Sequence, residues 1–143
     1  MNIKESGNLS YTKSDDLKGR DREVEKMDLS PFLGSWTNTK DGSGQLPKVE
    51  LRESDGTLIL RAFGADKDGL IDWGEVECDV FAENIHDGTA IAFITGYKFD
   101  KIDVEISSNV KLGVLVVQTY TKFKDGSNRL NYYTREFYGP TQS

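Results

Sequence analysis

The sequence predicts an all-β fold: an eight-stranded antiparallel up-and-down barrel spanning 29–140, preceded by a mobile charged leader at 1–28. Turn chemistry at regular intervals is the first reason. It recurs at Asp41-Gly42-Ser43-Gly44, Ser54-Asp55-Gly56, Lys67-Asp68-Gly69, His86-Asp87-Gly88, Ser108-Asn109 and Lys124-Asp125-Gly126-Ser127-Asn128. Asp-Gly and Asn-containing pairs supply the positive φ angles that tight hairpins need. The second is that β-branched and aromatic residues fill the intervals between these turns. The third is alternation: Ile102-Asp103-Val104-Glu105-Ile106 puts aliphatics on one face and acids on the other.

Along the chain, 1–28 mixes both charge signs with few large apolar groups. Leu17, Val24 and Met27 give any short helix there too little apolar surface to stand alone. Leu29-Ser30-Pro31 marks entry into the folded part. Strands are expected near 32–40, 46–53, 57–64, 72–82, 89–97, 99–107, 110–123 and 129–138. Short turns joining them describe a meander, and closing such a sheet on itself removes its vulnerable edges. In 74–80, Glu75, Glu77 and Asp79 share a face opposite Val76, Cys78 and Val80. Segments 57–63 and 112–117 are apolar on both faces, which points to cover by a partner subunit or by the leader, and so to a homo-oligomer.

Composition narrows the function classes. A chain of 143 residues fits one domain and can bury roughly 70% of its unfolded surface. A formal charge of -6, with no Lys/Arg block, argues against nucleic acid as a partner. Cys78 is the only cysteine, so no intramolecular disulfide can form, and its neighbours Glu77 and Asp79 have the wrong sign to activate a thiol. Met1–Ser10 has no apolar signal core and no run is long enough to span a bilayer as a helix, so cytoplasmic residence without a membrane partner is expected.

Phe32-Leu33-Gly34-Ser35-Trp36-Thr37-Asn38 on the first strand and Tyr132-Tyr133-Thr134-Arg135-Glu136-Phe137 on the last resemble the signature of the calycin superfamily, which includes lipocalins and avidins. The resemblance implies that Trp36 closes one end of the barrel and that Arg135 packs across its ring. A closer likeness, covering most of 29–138, is to a group of small bacterial lipocalin-like domains. It is carried by Leu29 to Asn38, Arg61-Ala62-Phe63-Gly64-Ala65, Asp72-Trp73-Gly74-Glu75-Val76 and Phe123 to Phe137. Members often carry a cysteine pair bracketing the loop before the Asp-Trp-Gly step. Here Asp66 and Ile71 hold those places, so a loop-stapling bridge is absent. The resemblance implies a fold and no particular activity.

Candidate sites follow from residue type. Asp66, Asp68, Asp72 and Glu75 match several positions of an EF-hand calcium loop, but Gly64 replaces the first acid and the flanks read as strands. No metal or other cofactor is therefore expected, with a weak calcium-binding hairpin as the residual reading. His86, the only histidine, sits in a turn and reads as solvent-exposed rather than catalytic. The aromatic set is more informative. A small barrel either fills its lumen with side chains or leaves room for one ligand. Trp36, Asn38, Phe63, Trp73, Phe93, Tyr97, Gln118, Tyr120, Tyr133 and Arg135 are the candidate ligand-binding residues, with Asn38, Gln118 and the tyrosines as polar tips.

Three functions remain open. The leading expectation is a module that holds a small apolar or aromatic molecule in the barrel lumen. The first alternative is a template-type cyclase or isomerase of secondary metabolism, in which buried Asp72 or Glu75 acts as acid or base and Tyr97 polarises a carbonyl. The second is a protein-interaction or assembly domain that uses the outer apolar faces.

Overall fold

The computed structural model describes residues 27–40 and 46–142. The leader expected over 1–28 therefore lies outside the described residues except for its last two positions, as does the turn at 41–44. The strands are β1 (Gly34–Asn38), β2 (Lys48–Ser54), β3 (Thr57–Asp66), β4 (Gly69–Ala82), β5 (Ala90–Lys98), β6 (Ile102–Lys111), β7 (Val114–Phe123) and β8 (Tyr132–Pro140). Each pairs antiparallel with the next, and β8 returns to β1 to close an eight-stranded up-and-down barrel. Among the described residues no helix is long and apolar enough to cross a membrane.

Alternation sorts the side chains into two sets. Trp36, Val49, Leu51, Leu58, Leu60, Ala62, Cys78, Phe93, Tyr97, Val104, Ile106, Leu115, Val117 and Tyr138 point inward and belong to one contiguous buried cluster. An eight-stranded ring is just wide enough for side chains to fill it, and these residues do so. Outward positions carry most of the charge. Ile59 and Val116 are exceptions that stay 9% and 8% exposed within the single chain. Ile59 lies between Arg52 and Glu77 on the neighbouring strands. Val116 lies between Asn109 and Phe137. Neither needs a partner subunit for its burial.

The two ends are built differently. At one, Leu29 and Phe32 enter the core from the segment that precedes β1. A tight turn forms them, with the Phe32 N–H donating to the Leu29 carbonyl at 3.0 Å. Asp28 fastens this plug to the start of β5: its N–H donates to the Gly88 carbonyl, and its carbonyl accepts from the Ala90 N–H. At the opposite end Leu46 is buried, its carbonyl accepting from the Tyr138 hydroxyl and from Asn38 Nδ2.

One expected turn is misplaced. Ser108-Asn109 lies inside β6, where the buried Ser108 hydroxyl donates to the Val116 carbonyl at 2.7 Å. The chain reverses instead at Leu112-Gly113, with φ of 52° and 77°, a two-residue hairpin whose twist suits the flanking strands. Leucine is a poor residue for positive φ, which is why the sequence did not signal this turn.

A second irregularity shapes the site. The β3–β4 register shifts between Arg61 and Phe63, because Phe63 pairs with Asp72 while Arg61 pairs with Glu75. Trp73 and Gly74 together oppose Ala62, a β-bulge. The Asp-Trp-Gly step supplies it. Asp72 Oδ1 accepts the Gly74 N–H at 2.8 Å, and Gly74 takes a φ of 89° that a side chain would resist. The extra residue turns the indole of Trp73 inward, against Gly64.

Candidate functional site

The barrel is closed, but the ladder between β4 and β5 ends early, a breach in the backbone pairing that side chains bridge. That ladder runs from Ala82↔Ala90 to Asp79↔Ile94 and stops there. Below that point β4 continues to Gly69 and β5 to Lys98 without pairing. Two side chains of β5 cross the interval. The Thr95 hydroxyl donates to the Glu77 carbonyl at 2.7 Å. The Tyr97 hydroxyl donates to the Gly74 carbonyl at 2.8 Å and accepts the Ala62 N–H at 3.0 Å. Tyr97 thus bonds one backbone group on each strand of the bulge.

Behind the breach lie three rings. Tyr97 stacks on Phe99 at 5.5 Å between centroids, and Trp73 meets both edge-on at 5.4 Å and 5.3 Å. In front of it is a depression of about 630 Å³. Its lining joins inward-facing Thr95, Tyr97 and Val104 to outward-facing Glu77, Asp79, Ile94 and Gly96, and it extends to Glu105, Tyr120 and Lys122. Gly96 keeps its floor low: a Cβ there would stand 3.1 Å from the Val104 carbonyl oxygen.

Of the expected ligand-binding residues, Trp36, Asn38, Trp73, Phe93 and Tyr97 face the interior. Trp36 and Phe93 are packed at the plugged end, where Trp36 Nε1 donates to the Phe32 carbonyl at 2.8 Å. Asn38 is engaged at the other end, donating to Glu136 Oε1 at 2.9 Å. The placement of the other five in the lumen is corrected. Phe63 lies outside under the cations of Lys48 and Arg61. Gln118, Tyr120 and Tyr133 form an outer cluster in which both phenols donate to Gln118 Oε1, at 3.4 Å and 3.1 Å. Arg135 also faces outward, over the Phe137 ring at 4.9 Å, and does not cover Trp36. Strand parity explains these four: Gln118↔Arg135 and Tyr120↔Tyr133 alternate with the inward pairs Val117↔Glu136 and Thr119↔Thr134.

The carboxylates are corrected too. Asp72 and Glu75 are on the outer face, not buried, and their acidity moves opposite to the expectation. The Arg61 guanidinium, helped by the Gly74 N–H, holds Asp72 down at about 2. The Arg52 guanidinium, bonded at 2.9 Å and 2.8 Å, lowers Glu75 as well. Neither has the raised affinity for protons that an acid–base role requires. The calcium arrangement also fails, since these two acids serve different arginines and the segments flanking Gly64–Glu75 are strands. Among the described residues no cluster of three His, Cys, Asp or Glu side chains could hold a metal. Burial pushes the Cys78 thiol up to about 12, and His86 lies exposed in its turn.

The Asp72 carboxyl is expected to titrate near 2 and to return toward its ordinary 3.8 in Arg61→Gln. Because folding lowers the value, the pair stabilises the fold fully above about pH 3.8 and loses that contribution as pH falls toward 2. The groups are exposed, so added salt weakens the effect. Carbon-detected NMR of the carboxyl measures it. An unchanged midpoint in the variant means that Arg61 is not the cause.

Thr95, Phe99 and Gly96 belong to this site but were not among the candidates expected from sequence. The first two carry a signal in retrospect: Phe93, Thr95, Tyr97 and Phe99 alternate on one face of β5 and its exit. Compared with known proteins, the chain matches no protein family, no curated protein and no solved structure.

Proposed function

We propose that this chain is a calycin-like, small-molecule-binding barrel that takes an apolar or aromatic ligand at the β4–β5 breach rather than deep in the lumen. The observation that carries the reading is the joint lining of one depression by inward Tyr97 and Val104 and outward Glu77, Asp79 and Gly96. Its volume, about 630 Å³, falls in the range of small-molecule sites. Ile94 and Tyr120 offer apolar contact beside the breach, and carboxylates and lysines at the rim keep the mouth wet. The calycin kinship rests on strand number and order together with the inward Trp36. It does not rest on Arg135, whose side chain points away.

Titration with 1-aminoanthracene, a compact aromatic fluorophore, tests the proposal. Saturable fluorescence enhancement is expected, with amide shifts centred on Thr95–Lys98 and Glu77–Asp79. Ile94 is 44% exposed, so Ile94→Glu leaves the fold intact. It should weaken binding by roughly tenfold, as expected for loss of one apolar contact surface. Absence of saturation, or shifts confined to the Leu29–Phe32 end or the Leu46 end, would overturn the proposal.

A further inference from the structure

We infer that Thr95 and Tyr97 form a two-point latch across the β4–β5 seam, and that release of this latch lets a ligand in the depression reach the Trp73, Tyr97 and Phe99 rings behind it. The inference rests on the proposed binding site and adds its means of entry.

The joints of the barrel differ in length. β6 and β7 are joined over ten residue pairs, from Ile102↔Phe123 to Lys111↔Val114. β4 and β5 share four, as do β1 and β2, while β8 and β1 share three; what sets β4 and β5 apart is that both strands run on past the end of their ladder. Continuous ladders open cooperatively and rarely, whereas segments held by few bonds open locally at lower free energy. Below Asp79↔Ile94 two hydroxyls, each bonded to a carbonyl of β4, cross the seam beside the contacts of the Trp73 ring with Tyr97 and Phe99. The plugged end offers no such weakness, because Leu29 and Phe32 are fully packed and Asp28 is tied to β5. At the other end Leu46 is buried and its carbonyl is held by Tyr138 and Asn38. Opening at the seam also leads somewhere: it uncovers Trp73, Tyr97 and Phe99, a ring cluster already bordering the depression.

The molecule supplies the means to lock it. Cys78 and Thr95 are the next residues of β4 and β5 after the last pair, Asp79↔Ile94, and so face each other across the seam. Thr95→Cys therefore places two thiols across the seam, and oxidation joins them while dithiothreitol releases them. Stopped-flow mixing with 1-aminoanthracene is expected to show association at least about tenfold slower in the oxidised variant than in the same protein reduced. Thr95→Val removes one bridge without a crosslink, and should speed association several-fold by raising the open population. Native-state hydrogen exchange reads the latch without any ligand. The Ala62 amide, whose acceptor is the Tyr97 hydroxyl, should exchange roughly tenfold faster than amides of the β6–β7 ladder, and faster still in Thr95→Val. Equal association rates in the locked and unlocked forms overturn the latch while leaving binding intact. Local exchange at Ala62 with no binding of 1-aminoanthracene overturns the binding site while leaving the latch. Exchange of Ala62 only by global unfolding, or rates unaltered in Thr95→Val, also overturns the latch.

Discussion

Phe32→Ala is expected to destabilise the protein by about 3–5 kcal/mol, the usual cost of truncating a fully buried phenylalanine. Phe32 is 0% exposed although it lies outside every strand. Its ring meets Phe93 edge-on at 5.3 Å, and its carbonyl holds the indole N–H of Trp36. Alanine would leave a void where three aromatic groups converge, and the surrounding ring of strands is too constrained to collapse into it. Guanidinium denaturation followed by tryptophan fluorescence measures the loss. Leu33 is the control: its side chain is 39% exposed, and Leu33→Ala should change stability by no more than about 0.5 kcal/mol. Equal effects at the two positions would mean that the Leu29–Phe32 turn is an appendage and not the stopper of the barrel.

That turn also marks where the sequence became unreadable. Eight strands were legible because Asp-Gly and Asn-containing turns punctuate them and because alternation is clear in segments such as Ile102–Ile106. Boundaries failed where the local rule was broken. Leu112 occupies a positive-φ turn position, so the eye falls on Ser108-Asn109, which has turn composition but lies inside β6. Phe32 and Leu29 read as strand and leader residues, since only the closed barrel shows that an open end requires filling.

The site was half legible, for a related reason. Parity within a strand can be read from its residues, but the choice of face depends on neighbours. On β8, Tyr133 and Arg135 or Thr134 and Glu136 were equally able to point inward, and an aromatic–cationic pair looked the better filling. Pairing with β7 decides the matter, because Val117 and Thr119 are committed to the core. The Asp72 error has another source. Without knowing that Asp72 and Trp73 flank a bulge, no pattern tells that the acid stays on the outside with Arg61 while the indole turns in. The breach itself has no sequence signature, because it arises from a ladder that ends early.

Tyr97→Phe is the sharper test of how that breach is held. The substitution removes one oxygen and keeps the ring, so the stacking with Phe99 persists. It strips a partner from the Ala62 N–H and from the Gly74 carbonyl together. An unsatisfied buried backbone group costs about 1–3 kcal/mol, and two should cost about 2–6 kcal/mol. Tyr138→Phe, which leaves the Leu46 carbonyl its bond from Asn38 Nδ2, serves as the comparison and should cost no more than about 1 kcal/mol. Denaturant titration of both variants gives the ratio, and the Ala62 amide resonance should move in Tyr97→Phe alone. Equal costs would show that water replaces the phenol at the bulge. The expected inequality has a functional edge, because the hydroxyl that steadies the wall is also the one that bars the way through it. A variant that folds less firmly should therefore admit 1-aminoanthracene faster, and only a latch ties those two changes to the same oxygen atom.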